Sequence, residues 1–281
     1  IGIYAWAKTR NTSEGYLLAG RDLSPSVTAL SAGASDMSGW LLLGLPGALF
    51  ASGLVEAWIA IGLTVGAALN WIIVAPRLRE QTERLGDALT IPEFLANRFP
   101  ETGTLLRVVS AVVIVGFFTV YTASGMVGGG KLFETAFAGS LPATDLSDYM
   151  LGILITAGIV LVYTTIGGFL AVSLTDFVQG MIMMVALVVM PLVILLGTDG
   201  TSIAAVPQEG FLSLTQGASL VGVISAVTWG LGYFGQPHII VRFMAIDKVE
   251  NVPLAGWICM IWMVISLAGA VAVGLAGRAF A

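Results

Sequence analysis

The chain has 281 residues, 57% of them apolar and only 10% charged, with a mean hydropathy of +0.94 and a formal net charge of −5. Ordinary soluble domains carry roughly a quarter charged residues, and a surface this apolar would aggregate in water, so a soluble fold is excluded and a lipid bilayer is the expected surrounding. The twelve Lys and Arg form no stripe to neutralise phosphates, which argues against a nucleic-acid partner, and the lone Cys259 and lone His238 leave no disulfide, metal cluster or catalytic triad from which to build an enzyme.

The apolar start, residues 1–6, falls short of the roughly 20 residues a bilayer demands. It is expected to be the remnant, 1–7, of a cut first helix, because Lys8 and Arg10 follow the apolar stretch where a signal peptide would place them before it. Hydropathy then predicts spans at 24–53, 54–75, 106–138, 149–170, 172–197, 217–243 and 252–277. Each must be helical, since lipid offers no partner for backbone N–H and C=O groups. The expected fold class is therefore all-α, a polytopic membrane helix bundle forming a single transmembrane domain over 1–281. Residues 271–281 end as abruptly as the chain begins, so both ends are expected to be truncated.

The first complete span contains Ser31-Ala-Gly-Ala-Ser-Asp36-Met-Ser-Gly-Trp40 in its middle. A carboxylate at a helix centre costs about 2.5–3.5 kcal/mol even on the lenient insertion scale, which makes Asp36 a functional candidate. Gly33, Ser35, Ser38 and Gly39 are poor helix formers, and carbonyls freed by an unwound turn are hard ligands for a hard monovalent cation. In the next span Gly62 and Gly66 point to close helix packing, as do Gly128, Gly129 and Gly130 further on. The segment 76–106 interleaves charges such as Arg77, Arg79, Glu83 and Arg98 with Leu78, Leu85 and Phe94, predicting a short amphipathic helix at the membrane interface with no assigned role.

Asp176 follows a Gly167-Gly168 turn at the start of the 172–197 span, where it is open to two readings: a helix cap that complements the dipole, or a functional carboxylate. The 217–243 span is interrupted in turn by Trp229-Gly-Leu-Gly-Tyr-Phe-Gly-Gln-Pro-His238, whose three glycines and Pro237 cannot continue a regular helix. Paired interruptions in corresponding positions of two halves point to a transporter site at the bilayer midplane. The first break opens a five-helix repeat, 24–197, and the second opens the next, 217–281. Five is odd, so the second group enters from the opposite side as an inverted repeat. Trp229, Tyr233 and Tyr121 are open to a reading as interfacial belt residues, but their mid-span placement favours a site. Placing each Lys and Arg on alternating sides puts ten on one side and only Lys131 and Arg278 on the other, which makes the ten-residue side cytoplasmic and turns the loops near 140–148 and 198–215 outward.

The run from Thr28 through Trp40, with Phe118-Thr-Val-Tyr-Thr-Ala-Ser-Gly125, Ile166-Gly-Gly-Phe-Leu-Ala-Val-Ser173, Thr175-Asp176 and Trp229 through His238, resembles the sodium/solute symporter family, above all its proline-carrying branch. The resemblance covers essentially the whole chain. It implies a leucine-transporter-like inverted-repeat core preceded by one extra helix and incomplete at the C-terminus. It also implies alternating-access import of proline, or a similar small organic solute, with co-transported sodium and no organic cofactor, in the bacterial plasma membrane. Sodium would take backbone carbonyls of Ala34 and Met37 beside Asp36, with hydroxyls from a helix beyond residue 281. Solute contacts would fall on Ser38, Gly39, Tyr121, Trp229, Tyr233 and Pro237, and coupling and the cytoplasmic ion path on Arg21 and Asp176. The rival readings are a solute-sensing domain of a signalling protein and a passive channel.

Overall fold

Every element among the described residues is a helix, apart from one isolated parallel bridge between Leu23 and Ile246. The structure is a computed structural model that describes residues 1–9, 12–138, 146–197 and 210–280. Arg10 and most of the two loops expected to face outward lie outside the described residues. Among the described residues four helices are long and apolar enough to cross a membrane: Leu54–Arg84, Pro100–Ala136, Asp148–Gly197 and Val249–Arg278, with Leu220–Phe234 a shorter apolar one.

The first complete span is broken where its small polar residues predict. Pro25 opens the Pro25–Gly39 helix at a position where its missing N–H leaves no hydrogen bond unmade, and the helix fails at Ser38, with φ 44° and ψ −161°. A wide π turn, Trp40–Gly44, and the helix Leu45–Ser52 complete the span. A second π turn, Asn70–Val74, lies inside the next span. Each π turn runs into a proline, Pro46 and Pro76. Proline lacks the donor and its ring crowds the carbonyl four residues back, Leu42 and Ile72 respectively, so widening the turn relieves the clash while the helix continues.

That continuation corrects one expectation. The span thought to end at 75 runs on as Ala75–Arg84, so Arg77, Arg79, Glu83 and Arg84 extend a membrane helix and do not belong to one interfacial helix over 76–106. A separate short helix, Ile91–Arg98, follows. Thr90 Oγ1 accepts the Glu93 N–H at 3.3 Å while the Glu93 carboxylate accepts the Leu89 N–H at 2.9 Å, a variant of the reciprocal capping box.

Contacts group the chain into two units, Ile1–Asp22 with Glu80–Thr175, and Leu23–Arg79 with Asp176–Ala281. In the first unit the long Asp148–Gly197 helix turns at Gly168, with φ 57°, which divides it into the two spans expected. A Cβ there would stand 2.7 Å from the carbonyl oxygen of Tyr16, so both conformation and space call for glycine. The Tyr16 hydroxyl donates to the carbonyls of Thr164 and Thr165 at 3.3 and 3.2 Å, tying the short helix Ser13–Leu18 to this turn. In the second unit Val252–Phe280 packs against Pro25–Gly39 and Leu45–Ser52. Gly62 and Gly66 pack as expected: a Cβ on Gly62 would lie 2.5 Å from the Val227 backbone, and one on Gly66 would collide with the Gly230 carbonyl.

Candidate functional site

The second unit brings the two broken helices together. The second break runs from the helix Leu220–Thr228 through a tight 3₁₀ segment, Trp229–Phe234, into the helix Pro237–Ala245. Its glycines weaken α-helical pairing, and Pro237 takes the first turn of the new helix, where no N–H is needed. Tyr233 is only 4% exposed, and its hydroxyl donates to Asp36 Oδ2 in the first broken helix. The Trp40 and Trp229 rings lie nearby, centroids 6.0 Å apart. The structure therefore joins Asp36, Ser38, Gly39, Trp229 and Tyr233 at the facing breaks, with Pro237 just beyond. The Met37 carbonyl already accepts the N–H of Trp40, so one of its two lone pairs is engaged in the turn. Ser38 Oγ accepts from the same N–H at 3.4 Å.

A second polar cluster lies deeper along the same helices. Asp176 Oδ2 accepts from Ser31 Oγ at 2.7 Å, Ser35 Oγ at 2.9 Å and Arg242 Nη2 at 2.8 Å. Ser31 and Ser35, four residues apart, present both hydroxyls on one helix face. Arg242 Nε donates to Ser31 Oγ at 2.7 Å, its Nη2 to Ser35 Oγ at 2.5 Å and its Nη1 to the His238 carbonyl. The side chains of Arg242 and Asp176 are 5% and 16% exposed. A carboxylate satisfied by two hydroxyls and a guanidinium is a buried ion pair with its remaining lone pairs engaged, the condition under which such a pair persists in low dielectric. Of the two readings of Asp176, the helix cap falls, because its carboxylate bonds across to other helices and the Asp148–Gly197 helix runs through it.

Arg242, one of the ten basic residues assigned to the cytoplasmic side, sits in the last turn of Pro237–Ala245 and is buried. An arginine inside Ile239-Ile-Val-Arg-Phe-Met-Ala245 is an intramembrane charge needing a partner. Tyr121 and Arg21 belong to the first unit. Tyr121 is 40% exposed with its ring 5.6 Å from that of Phe118. Arg21 is buried, donating to the Ala88 carbonyl at 3.0 Å and lying 3.6 Å from Glu14.

The model of the sodium:solute symporter family matches residues 16–281. The osmoregulated proline transporter OpuE of Bacillus subtilis is 52% identical over 286 residues, covering 100% of this chain and 56% of that protein. A sodium/proline symporter of Staphylococcus aureus strain JH9 is 49% identical over 284 residues, covering 100% of this chain and 54% of that protein. The chain thus spans about half the length of the curated relatives it matches.

Proposed function

Because the chain belongs to the sodium:solute symporter family, whose members are membrane transporters and not enzymes, we propose that the protein of which it is part imports proline across the plasma membrane with sodium. The observation that carries this reading is the hydrogen bond from Tyr233 to Asp36 between the two breaks. In the proposed leucine-transporter-like arrangement, 1–7 belongs to an extra first helix, 24–197 is one inverted repeat and 217–281 opens the next.

Sodium is held by carbonyl oxygens of Ala34 and Met37, with Asp36 supplying negative charge beside it. Within the second unit the solute lies against Ser38, Gly39, Trp229 and Tyr233. Its carboxylate faces the N-terminus of the helix opened by Pro237, where the helix dipole favours an anion. An ion that draws on Asp36 shifts the acceptor of Tyr233, and Tyr233 faces the solute. Occupancy of one site thereby changes the free energy of the other, and the coupling must be reciprocal. Asp176 serves the departing ion, with Arg242 as its competing cation, and Arg21 steadies the cytoplasmic side of the first unit.

The direct test is uptake of labelled proline by the full-length protein in proteoliposomes with a sodium or a choline gradient. Saturable, sodium-dependent uptake is expected; equal rates in the two salts would remove sodium coupling.

A further inference from the structure

Asn70 is only 1% exposed, and neither its Oδ1 nor its Nδ2 meets a hydrogen-bond partner among the described residues. A carboxamide carries two donor hydrogens and an oxygen with two lone pairs, and leaving all of them bare in a membrane interior is costly. The residue opens the π turn Asn70–Val74, yet its side chain gives that turn no support. Its neighbour Trp71 has an ordinary packing role, with its ring 4.6 Å from that of Phe243 and its Cβ beside Gly256.

The helix register tells which way Asn70 faces. Gly66 presses on the Gly230 backbone, and Asn70, four residues on, lies on the same helix face one turn further. Residues three apart eclipse one another in a 3₁₀ segment, so Tyr233 follows Gly230 on the side turned toward that helix. Three residues further stands Gln236, the N-cap of Pro237–Ala245, whose side chain makes no capping bond. A Cβ on Gly232 would lie 3.3 Å from Gln236 Nε2, so the nitrogen is turned toward exposed Gly232, while Gln236 Oε1 is buried and without a partner among the described residues. Two carboxamides therefore border Tyr233 from behind, and they do not bond to each other.

The donor set selects the ligand. A cation would meet Asn70 Oδ1 and Gln236 Oε1 but set the Nδ2 hydrogens against its own charge, and an anion would be repelled by both oxygens. A water donates to the two oxygens and accepts from Nδ2, about the three bonds that a buried water commonly makes. We infer that Asn70 and Gln236 hold a structural water behind the second break, and that the three together position the 3₁₀ segment carrying Trp229 and Tyr233. Bonded to Gln236 at the end of that segment, the water fixes how far Tyr233 reaches toward Asp36. The positioning role rests on the transporter reading above; the water site does not.

Cryo-electron microscopy of the full-length protein, at a resolution that shows ordered water, is the direct test. A peak within hydrogen-bond distance of both Asn70 and Gln236 Oε1 is expected. Carboxamides bonded to each other or to the protein with no peak between them, or a peak touched by oxygens alone at the short distances of a cation, overturn the water site. Equilibrium binding of labelled proline tests the positioning. Asn70→Leu and Gln236→Met, each close to the parent in volume, should weaken binding about fivefold, the scale of one hydrogen bond. The double variant should lose no more than either single one, because both break the same bridge. Asn70→Ser, which leaves room for a second water, should keep most of the affinity. Additive losses, unchanged affinity in either single variant, or Asn70→Ser as weak as Asn70→Leu overturn the positioning role. Should no form of the protein bind proline, or should a variant fail to fold, the map of the parent still decides the water site, and only the first of these outcomes counts against the transporter reading.

Discussion

Tyr233 and Asp36 are 197 positions apart in sequence, yet the phenol of one donates to the carboxylate of the other where both of their helices are broken. Neither group is at ease alone in a membrane interior, since an unpaired carboxylate or hydroxyl there costs several kcal/mol. Each is the other's compensation, and each belongs to a different proposed site. The bond therefore links what one helix binds to what the other binds.

Tyr233→Phe keeps the ring and deletes the link. The stimulation of proline affinity by sodium should drop by about fivefold to tenfold, the scale of one hydrogen bond to a charged group. Equilibrium binding of labelled proline across a sodium titration measures it. An unchanged stimulation would place coupling elsewhere.

Asp36→Asn preserves volume and removes charge. Half-saturation for sodium should rise by about tenfold or more while the amount of protein in the membrane stays near that of the parent, because the amide still accepts from Tyr233. Uptake at graded sodium, normalised to protein by immunoblot, provides the comparison. Unaltered sodium affinity would reduce Asp36 to a structural partner of Tyr233.

Arg242→Gln should destabilise severely. Removing one partner of a buried pair leaves the other uncompensated, at a cost of about 3–5 kcal/mol. Adding Asp176→Asn should recover much of that loss, since two amides and two serines can satisfy one another without net charge. Thermal unfolding in detergent gives the order parent, double variant, single variant. A double variant less stable than Arg242→Gln alone would mean the pair is not the stabilising unit.

Gly66→Ala and Gly128→Ala are the same chemical change in two settings. A Cβ at Gly66 meets the Gly230 backbone, which cannot yield as a side-chain tip does, whereas at Gly128 nothing lies within 4 Å. Gly66→Ala should cost about 1–3 kcal/mol by overpacking, and Gly128→Ala should be neutral or stabilising by up to about 1 kcal/mol through helix propensity. The same melting measurement serves for both, and equal effects would contradict the close approach at Gly66.

The helices and their two interruptions were legible because their causes are local. Lipid leaves an apolar segment no choice but to satisfy its own backbone, and Ser38 with its small neighbours, or Gly230, Gly232 and Pro237, weaken that satisfaction within a single turn. Asp36 stood out for the same kind of reason, as a charge whose cost depends on its immediate surroundings. The π turns before Pro46 and Pro76 were equally written in the chain, though their consequence, a helix that continues to Arg84, was not drawn from it. What only the tertiary structure decided is which polar group answers which. Arg242 reads as one more basic residue near a helix end until Asp176, 66 positions away, and Ser31, 211 positions away, are seen around it. Arg79 reads as a solvated linker charge until the Ile246 carbonyl is found in front of it. Composition and periodicity report how much each residue must be compensated; the identity of its partner is set by long-range packing, in which distant segments come within hydrogen-bond reach through contacts that no local pattern encodes.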